Sequence, residues 1–493
     1  MRRNSFFART VVSKAILASL CLAVPAGGAA DVLDRTTPAA PANKKTWHAP
    51  KHIKAGDDAE KYSLEVSFNE AGDVIVFWNQ SDNNSGNMWK SDNDRRNMWI
   101  NSYKAGRGWG TARSIQINDI YHSNVAIDGR GNAIVASSRS GKIWTDRYES
   151  GKDWQEAQVI KETSLFNGLF NSKNANSVSD LRIAMNKAGN VVVAWTLEGN
   201  IIAKYYMSGK SWGDIQFIAT DAGGTDVIGV NVHPKLLKVA MDKKGNAIAV
   251  WGKDEDPTCT NLWSNRYEVG KGWQKAQIIK KNASPNHEIA VDEAGNALVV
   301  WQQRDNGHED NIWSNRYVAG NGWQKAQRIN NGAPGCAEPP EVAFDGAGNG
   351  LAVWSECQRD ADRTNLWFNR YTADVGWQKA QRIETGAAMN HAYHPKIAFD
   401  RAGNALAVWS QCSSKPTGIV VNGCNIRASR YVLGSGWEKA QSITTDADNA
   451  EVPQIAIDAA GNALAIWLQT DDFRPNMFGR DISEYDIWAA RYE

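Results

Sequence analysis

Apolar positions in this chain follow no helical period. They come in runs of about four to eight residues separated by glycine-bearing turns, which is a strand signature. Residues 405–409 (ALAVW) are apolar at every position, as in a strand covered on both faces. Ahead of them a shorter run, 397–399, ends at an Asp-x-x-Gly-Asn turn, where Gly supplies backbone freedom and Asp bonds its own backbone. Runs of a third kind, such as 312–317 (IWSNRY), mix aromatic and polar residues, and a fourth kind, such as 323–329 (WQKAQRI), is mostly polar. Apolar character thus falls outward from the second run. That gradient predicts a four-stranded antiparallel blade packed between two others, with a polar outer edge.

The pattern recurs. Its turn anchors are Asn69, Asp128, Asn186, Asp242, Asp292, Asp345, Asp400 and Asp458, so eight units are predicted. The eighth stops after its third strand at Ile487–Glu493, while an isolated fourth-strand segment, Trp47–Ile53, precedes the first unit. Ile53 to Asn69 spans sixteen residues, as does Ile329 to Asp345. The expected fold is all-β: an eight-bladed β-propeller, four antiparallel strands per blade, closed by an N-terminal strand that completes the last blade.

Composition adds the periphery. Residues 1–30 have a basic start (Arg2, Arg3), an apolar run (Ala15 to Val24) and a small-residue exit, so they read as a signal peptide cleaved after Ala30. Residues 31–45 are Pro/Ala/Thr-rich and read as a disordered leader, leaving 46–493 to the propeller. No other stretch is long and apolar enough to span a membrane. Lys plus Arg number 55 against 54 Asp plus Glu, so no global field points to nucleic acid or an anionic membrane. The expectation is an exported, periplasmic or extracellular, monomeric protein.

All of the 22 tryptophans but Trp89 fall on three repeat positions, which favours packing over ligand stacking for those ending strand two and opening strand four. The regular Arg-Tyr pairs, such as Arg316-Tyr317, read as guanidinium stacked on a ring. Departures from the repeat are better pointers to function: Ser137 in place of the strand-two Trp, and Ile202 and Arg427 in place of the strand-three Trp. The two-three and four-one connections vary in length and share one face, which is where a site is expected. On it lie Trp89 in an Asn/Asp-rich loop, Phe166 and Phe170 in an apolar connector, His394, and Asp471 and Asp472. The residue four before each anchor is mostly polar (Glu65, Asn124, Arg182, Lys238, Glu288, Glu341, Lys396, Gln454), predicting a mixed-charge ring at the channel mouth. Candidate binding residues are therefore Trp89, Phe166, Phe170, Glu288, Glu341, His394, Arg427, Asp471 and Asp472.

No nucleophile motif is present, and His391 and His394 have ligand-compatible spacing without identifiable Cys, His or Glu partners, so no catalytic residue, metal ligand or cofactor is assigned. Ca²⁺ at an Asp-rich loop such as 305–310 is the one candidate ion. Export permits disulfides: Cys412 with Cys424, which bracket one loop, and Cys336 with Cys357, leaving Cys259 unpaired.

The unit resembles a repeat of secreted bacterial propellers, here carried by 403–409 (GNALAVW), 311–317 (NIWSNRY) and 322–327 (GWQKAQ). More distantly it is similar to sialidases, although Asp400, Gly403 and Trp409 are spaced differently from their S-x-D-x-G-x-T-W box. It is also similar to quinoprotein dehydrogenases, whose docking motif Ala398 and Asp400 begin but Gly403 and Trp409 do not complete. Eight-bladed periplasmic scaffolds of outer-membrane assembly are similar in shape. These resemblances imply an architecture rather than an activity. The favoured reading is a non-enzymatic, lectin-like binding propeller for a glycan or cell-surface component. An envelope protein-docking scaffold comes second and a glycoside-active enzyme third.

Overall fold

Strand two explains the architecture. In every blade it begins five residues after the turn anchor, at Val74, Ala133, Val191, Ala247, Ala297, Gly350, Ala405 and Ala463. Its side chains are buried on both faces; Ala405 to Trp409 are at most 1% exposed. Such a strand is stable only with a sheet on each side, and the sheets supply this. There are eight, each ordered strand one, two, three, four, all antiparallel.

The computed structural model describes residues 45–53, 61–81, 96–115, 120–139, 142–152, 154–161, 178–222, 234–256, 259–305, 309–331, 337–358, 361–383, 390–414, 421–444, 449–470 and 485–493. Residues Lys45–Glu493 form one compact unit. The expected signal peptide, and the leader up to residue 44, lie outside the described residues.

Eight hydrophobic clusters fill the gaps between consecutive blades. In each of seven, a fully buried strand-two tryptophan (Trp78, Trp195, Trp251, Trp301, Trp354, Trp409 or Trp467) packs against the preceding blade. Truncating one such ring costs about 3–5 kcal/mol. The Arg-Tyr pairs act between blades, not within them. Arg266 lies over Tyr317 at 4.9 Å, Arg316 over Tyr371 at 5.1 Å and Arg370 over Tyr431 at 5.3 Å. Arg147 covers Tyr206 at 5.2 Å, Arg430 hydrogen-bonds Tyr492, and Arg491 covers Tyr103 at 5.4 Å. Blade one uses Lys104 over Tyr148, and blade three stacks Tyr205 on Tyr267 at 4.6 Å.

The Asp-x-x-Gly-Asn turn ties each blade to itself. Asp400 Oδ1 accepts the N–H groups of Ala402 and Asn404, Asp400 Oδ2 accepts the Asn404 amide, and Asn404 Oδ1 accepts the Leu433 N–H from the three-four turn. Gly403 sits at φ 82°, where a side chain is disfavoured.

Strand one is longer than the sequence suggests, reaching ten residues at Asn390–Phe399. The outer strand is less continuous than expected: in blades five to seven it is two dipeptides, such as Gly322–Trp323 and Gln327–Arg328, and only blade three carries eight residues, Trp212–Ala219. With no neighbour beyond it, an interrupted edge is a poor template for intermolecular pairing.

Closure follows the expectation. Lys51 and His52 pair with Ala489 and Trp488, flanked by hydrogen bonds from Thr46 N–H to Glu493 O (3.0 Å), His48 N–H to Arg491 O (2.8 Å) and Ile53 N–H to Ile487 O (2.8 Å). Trp47 meets Tyr492 at 5.3 Å, as Trp323 meets Tyr317 at 5.5 Å within blade five. Ile53, 2% exposed, joins the cluster between blades eight and one. Removing residues 46–53 is expected to lower stability by several kcal/mol, about 3 of it from Ile53; a thermal melt unchanged by the truncation would contradict closure by this strand.

Candidate functional site

Eight polar side chains share one rung of the innermost strands. Glu65, Asn124, Arg182, Lys238, Glu288, Glu341, Lys396 and Gln454 each pair with the residue preceding the strand-two tryptophan position. Six of them lie within strand one, whereas Glu341 opens its strand and Glu288 is second in its own, so the ring is a girdle at and just inside the channel entrance. Neighbours bond across blades: Lys238 with Glu288, Lys396 with Glu341, and Asn124 Nδ2 donating to Glu65 Oε2 at 3.3 Å. Arg182 donates to Leu237 O in the next blade at 2.9 Å and pairs with Asp180 at 2.9 Å.

The girdle converges on one axis. Burial pushes the Glu65 carboxyl above its usual range, opposed by Arg182, Lys238 and Lys396 from blades three, four and seven. Burial likewise raises Glu341, which Lys396 lowers and Glu288 raises. Burial opposes the Lys396 charge, yet Glu341, Glu288 and Glu65 hold its ammonium above the ordinary value. Three cations and three carboxylates therefore neutralise one another, which a low-dielectric channel requires.

Above the girdle the strand bulges. The ladder slips just before the girdle residue in blades one to four, seven and eight. In three of these a non-glycine residue takes a left-handed backbone: Leu236 (φ 48°), His394 (φ 50°) and Val452 (φ 50°). Each costs about 1–3 kcal/mol, and such strain concentrates at functional sites. His394 is exposed, and partial desolvation followed by the Lys396 charge pushes its imidazole below the usual range. At the opposite end, Lys187 of blade three reaches both Glu70 of blade one and Glu293 of blade five. Blades one and five face each other across the ring, so that exit is narrow.

The loop face is lopsided. In blades four to seven strand two has nine or ten residues and strand three ten to twelve; in blades two and three both have seven. Because strand two starts level at the turn face and is up to three residues longer there, the longest hairpins rise about 10 Å higher. They form a wall on one side of the channel mouth. Its polar groups are fixed in place: Asp305 accepts from Gln303, Asn311 and the Trp313 indole at 2.8–3.0 Å, and Arg304 pairs with Asp310 at 3.1 Å. A disulfide joins Cys412 to Cys424 in blade seven's hairpin. Cys357 in blade six is also disulfide-bonded; Ala337 pairs with Glu356 beside it, and Cys336 lies outside the described residues.

Of the sequence-derived candidates, Glu288 and Glu341 sit in the girdle and His394 stands above it. Arg427 is set apart on strand three, donating to Ala440 O at 3.2 Å and paired in register with Trp409 and Ser442. Trp89, Phe166, Phe170, Asp471 and Asp472 lie outside the described residues. Ser137 opens no gap, because Arg139 donates to Ser137 Oγ at 2.9 Å and to Asp146 at 2.7 Å, covering Trp144 at 5.4 Å. Ile202 is fully buried in the cluster between blades two and three. The strained residues and the Arg139–Asp146 pair escape sequence reasoning; only the even spacing of Ser137, Arg139 and Trp144 on one face hints at the latter.

By sequence the chain matches no family model and no curated protein. Among solved structures it is similar to a protein of unknown function from Dyadobacter fermentans, at 11% identity and TM-score 0.39 over 92% of this chain and all of that one. A prolyl endopeptidase follows at 9% and 0.42, over 85% of this chain and 55% of its own. An ulvan-lyase polysaccharide lyase matches at 9% and 0.42, over 73% and 90%.

Two outcomes follow. Asp146→Ala is expected to cost about 3–5 kcal/mol by leaving Arg139 buried and unpaired, read by denaturant unfolding. Glu65→Gln is expected to raise the melting temperature at pH 7.5 by about 1–3 °C, because the ionised carboxyl is disfavoured in the folded chain. The gain should fade as pH falls through the raised folded value toward the unfolded one; a constant gain at pH 4.5 would assign it to packing instead.

Proposed function

We propose that this protein is an exported, non-enzymatic binding propeller that holds a glycan in the cup on its loop face. The observation that carries the reading is the lopsided wall of blades four to seven above a strained, polar channel mouth. A hydroxyl-rich ligand needs donors and acceptors fixed before it arrives, and amides offer both from one side chain. Of the hairpin amides, Gln302 and Asn425 are half-buried and stand toward solvent, on hairpins whose ladders and disulfide limit the entropy lost on binding. Among the described residues, the strand pairs of blades two and three are the shortest on this face. In blade three the turn is tight, with Glu198 and Gly199 both left-handed.

The non-enzymatic part of the reading is supported by the state of the channel carboxylates. Glu288 and Glu341 are committed to lysines and Glu65 to Asn124, whereas glycoside hydrolysis needs one carboxyl free to donate and another free to attack. On a glycan array the mature protein is expected to bind a narrow set of sugars without hydrolysing them. Calorimetry should show at least about tenfold weaker binding for His394→Ala and for Arg304→Ala. An array with no bound sugar, or product release from a bound one, would overturn the proposal.

A further inference from the structure

We propose that the outer rim of blades four to seven is a docking surface for an acidic polysaccharide, separate from the loop-face cup. The second residue after the strand-four tryptophan is Lys275, Lys325, Lys379 and Lys439 in these four consecutive blades, and all four are exposed. The equivalent residues in blades eight, one, two and three are Ala49, Thr111, Glu156 and Asp214, also exposed. Over the seven-residue segment from that tryptophan to the closing isoleucine, blades four to seven carry six cations (with Arg328 and Arg382) against Glu438 alone. The other four carry Lys51 and Arg113 against Glu156 and Asp214. A chain with almost no net charge therefore concentrates positive charge on half of its circumference.

These charges are uncompensated, unlike those of the girdle. Among the described residues, Lys275, Lys325, Arg328, Lys379 and Lys439 form no ion pair, whereas the channel lysines Lys238 and Lys396 each hold a glutamate. Exposed unpaired cations repeated at one position give a long-range attraction for a polymer of opposite sign.

The neighbouring side chains favour a saccharide. Each lysine has an exposed glutamine two residues on (Gln277, Gln327, Gln381, Gln441), and three have another just before (Gln274, Gln324, Gln378). Amides bond hydroxyls in either sense, so the pattern suits alternating carboxylates and hydroxyls. Half-buried indoles stand close by, Trp313 with Lys280 at 4.6 Å and Trp367 with Arg382 at 5.3 Å. In each pair the cation lies over the ring, which holds that cation in place on the rim.

The test uses polygalacturonate as an acidic probe and dextran as a neutral one, with duplex DNA and phosphatidylglycerol vesicles alongside. The mature protein should bind polygalacturonate and not dextran at low ionic strength, weakening about tenfold or more by 0.3 M salt. The variant K275E/K325E/K379E/K439E should lose at least about thirtyfold in affinity at an unchanged melting temperature. The pair E156K/D214K should match or exceed wild type. No binding of polygalacturonate, wild-type binding by the quadruple variant, or tighter binding of DNA or vesicles would each overturn the proposal. The loop-face reading stands apart, since binding of a neutral glycan in the cup does not pass through these lysines.

Discussion

Rotational closure is the constraint on which the rest of this molecule depends. A ring of eight blades exists only if each presents to the next a surface that the next can accept, with no remainder after the last step. The inter-blade contact meets this with two layers: a buried tryptophan face inside and an Arg-on-Tyr stack nearer the turn face. Each layer tolerates substitution as long as the volume and polarity at that junction are restored. Blade three replaces the arginine with Tyr205, which stacks on Tyr267. Blade two replaces the tryptophan with a buried ion pair. Changes of this kind are local because each junction is shared by only two blades.

The seam inside blade eight is where closure is least automatic, since its strands three and four come from distant parts of the chain. In blades two to seven the asparagine that ends the turn accepts a backbone N–H from the three-four turn, as Asn404 does from Leu433 and Asn296 from Ala319, and in blade one Asp73 accepts from Ala105. No such turn joins the strands of blade eight. There the Lys45 ammonium contacts Asn462 Oδ1 and donates to Ala460 O at 2.9 Å. A side chain on the incoming strand thus supplies the donor that connectivity withholds, and a buried acceptor is not left unsatisfied. A cavity of about 280 Å³ opens beside this substitution, between Phe68, Tyr103, Asp458 and Leu464.

How much of this was legible in the sequence depended on whether a feature repeats. The count of eight blades, the position of strand two and the closing strand at Trp47–Ile53 followed from spacing, because closure forces each unit to reuse the same residues. The girdle was legible as a position, since strand pairing fixes which residues share a rung. Its depth was not, because bulges lengthen strand one, and a bulge with Leu236 or Val452 left-handed contradicts local preference. The direction of the arginine stacking was also hidden: adjacency in Arg316-Tyr317 suggests one blade, while the pleat sends the two side chains to opposite faces. Loop-face candidates such as Trp89 and Asp471 fall where the repeat lapses, so neither spacing nor pairing constrains them.

Charge shows the same division in physical form. Inside the channel, where desolvation is costly, every lysine of the girdle has a carboxylate and the three signs of each kind balance. On the rim, where water screens each group, no such penalty applies and charge is free to be uneven. Pairing inside therefore offsets part of the desolvation cost, whereas uneven charge outside carries no such cost. The basic side of the rim and the tall hairpins occupy the same four blades, although strand four and the two-three connection are separate parts of the unit. Their coincidence has no source in ring closure, which treats all eight blades alike. It gives the propeller a front and a back, which a symmetric scaffold does not need and a binding protein does.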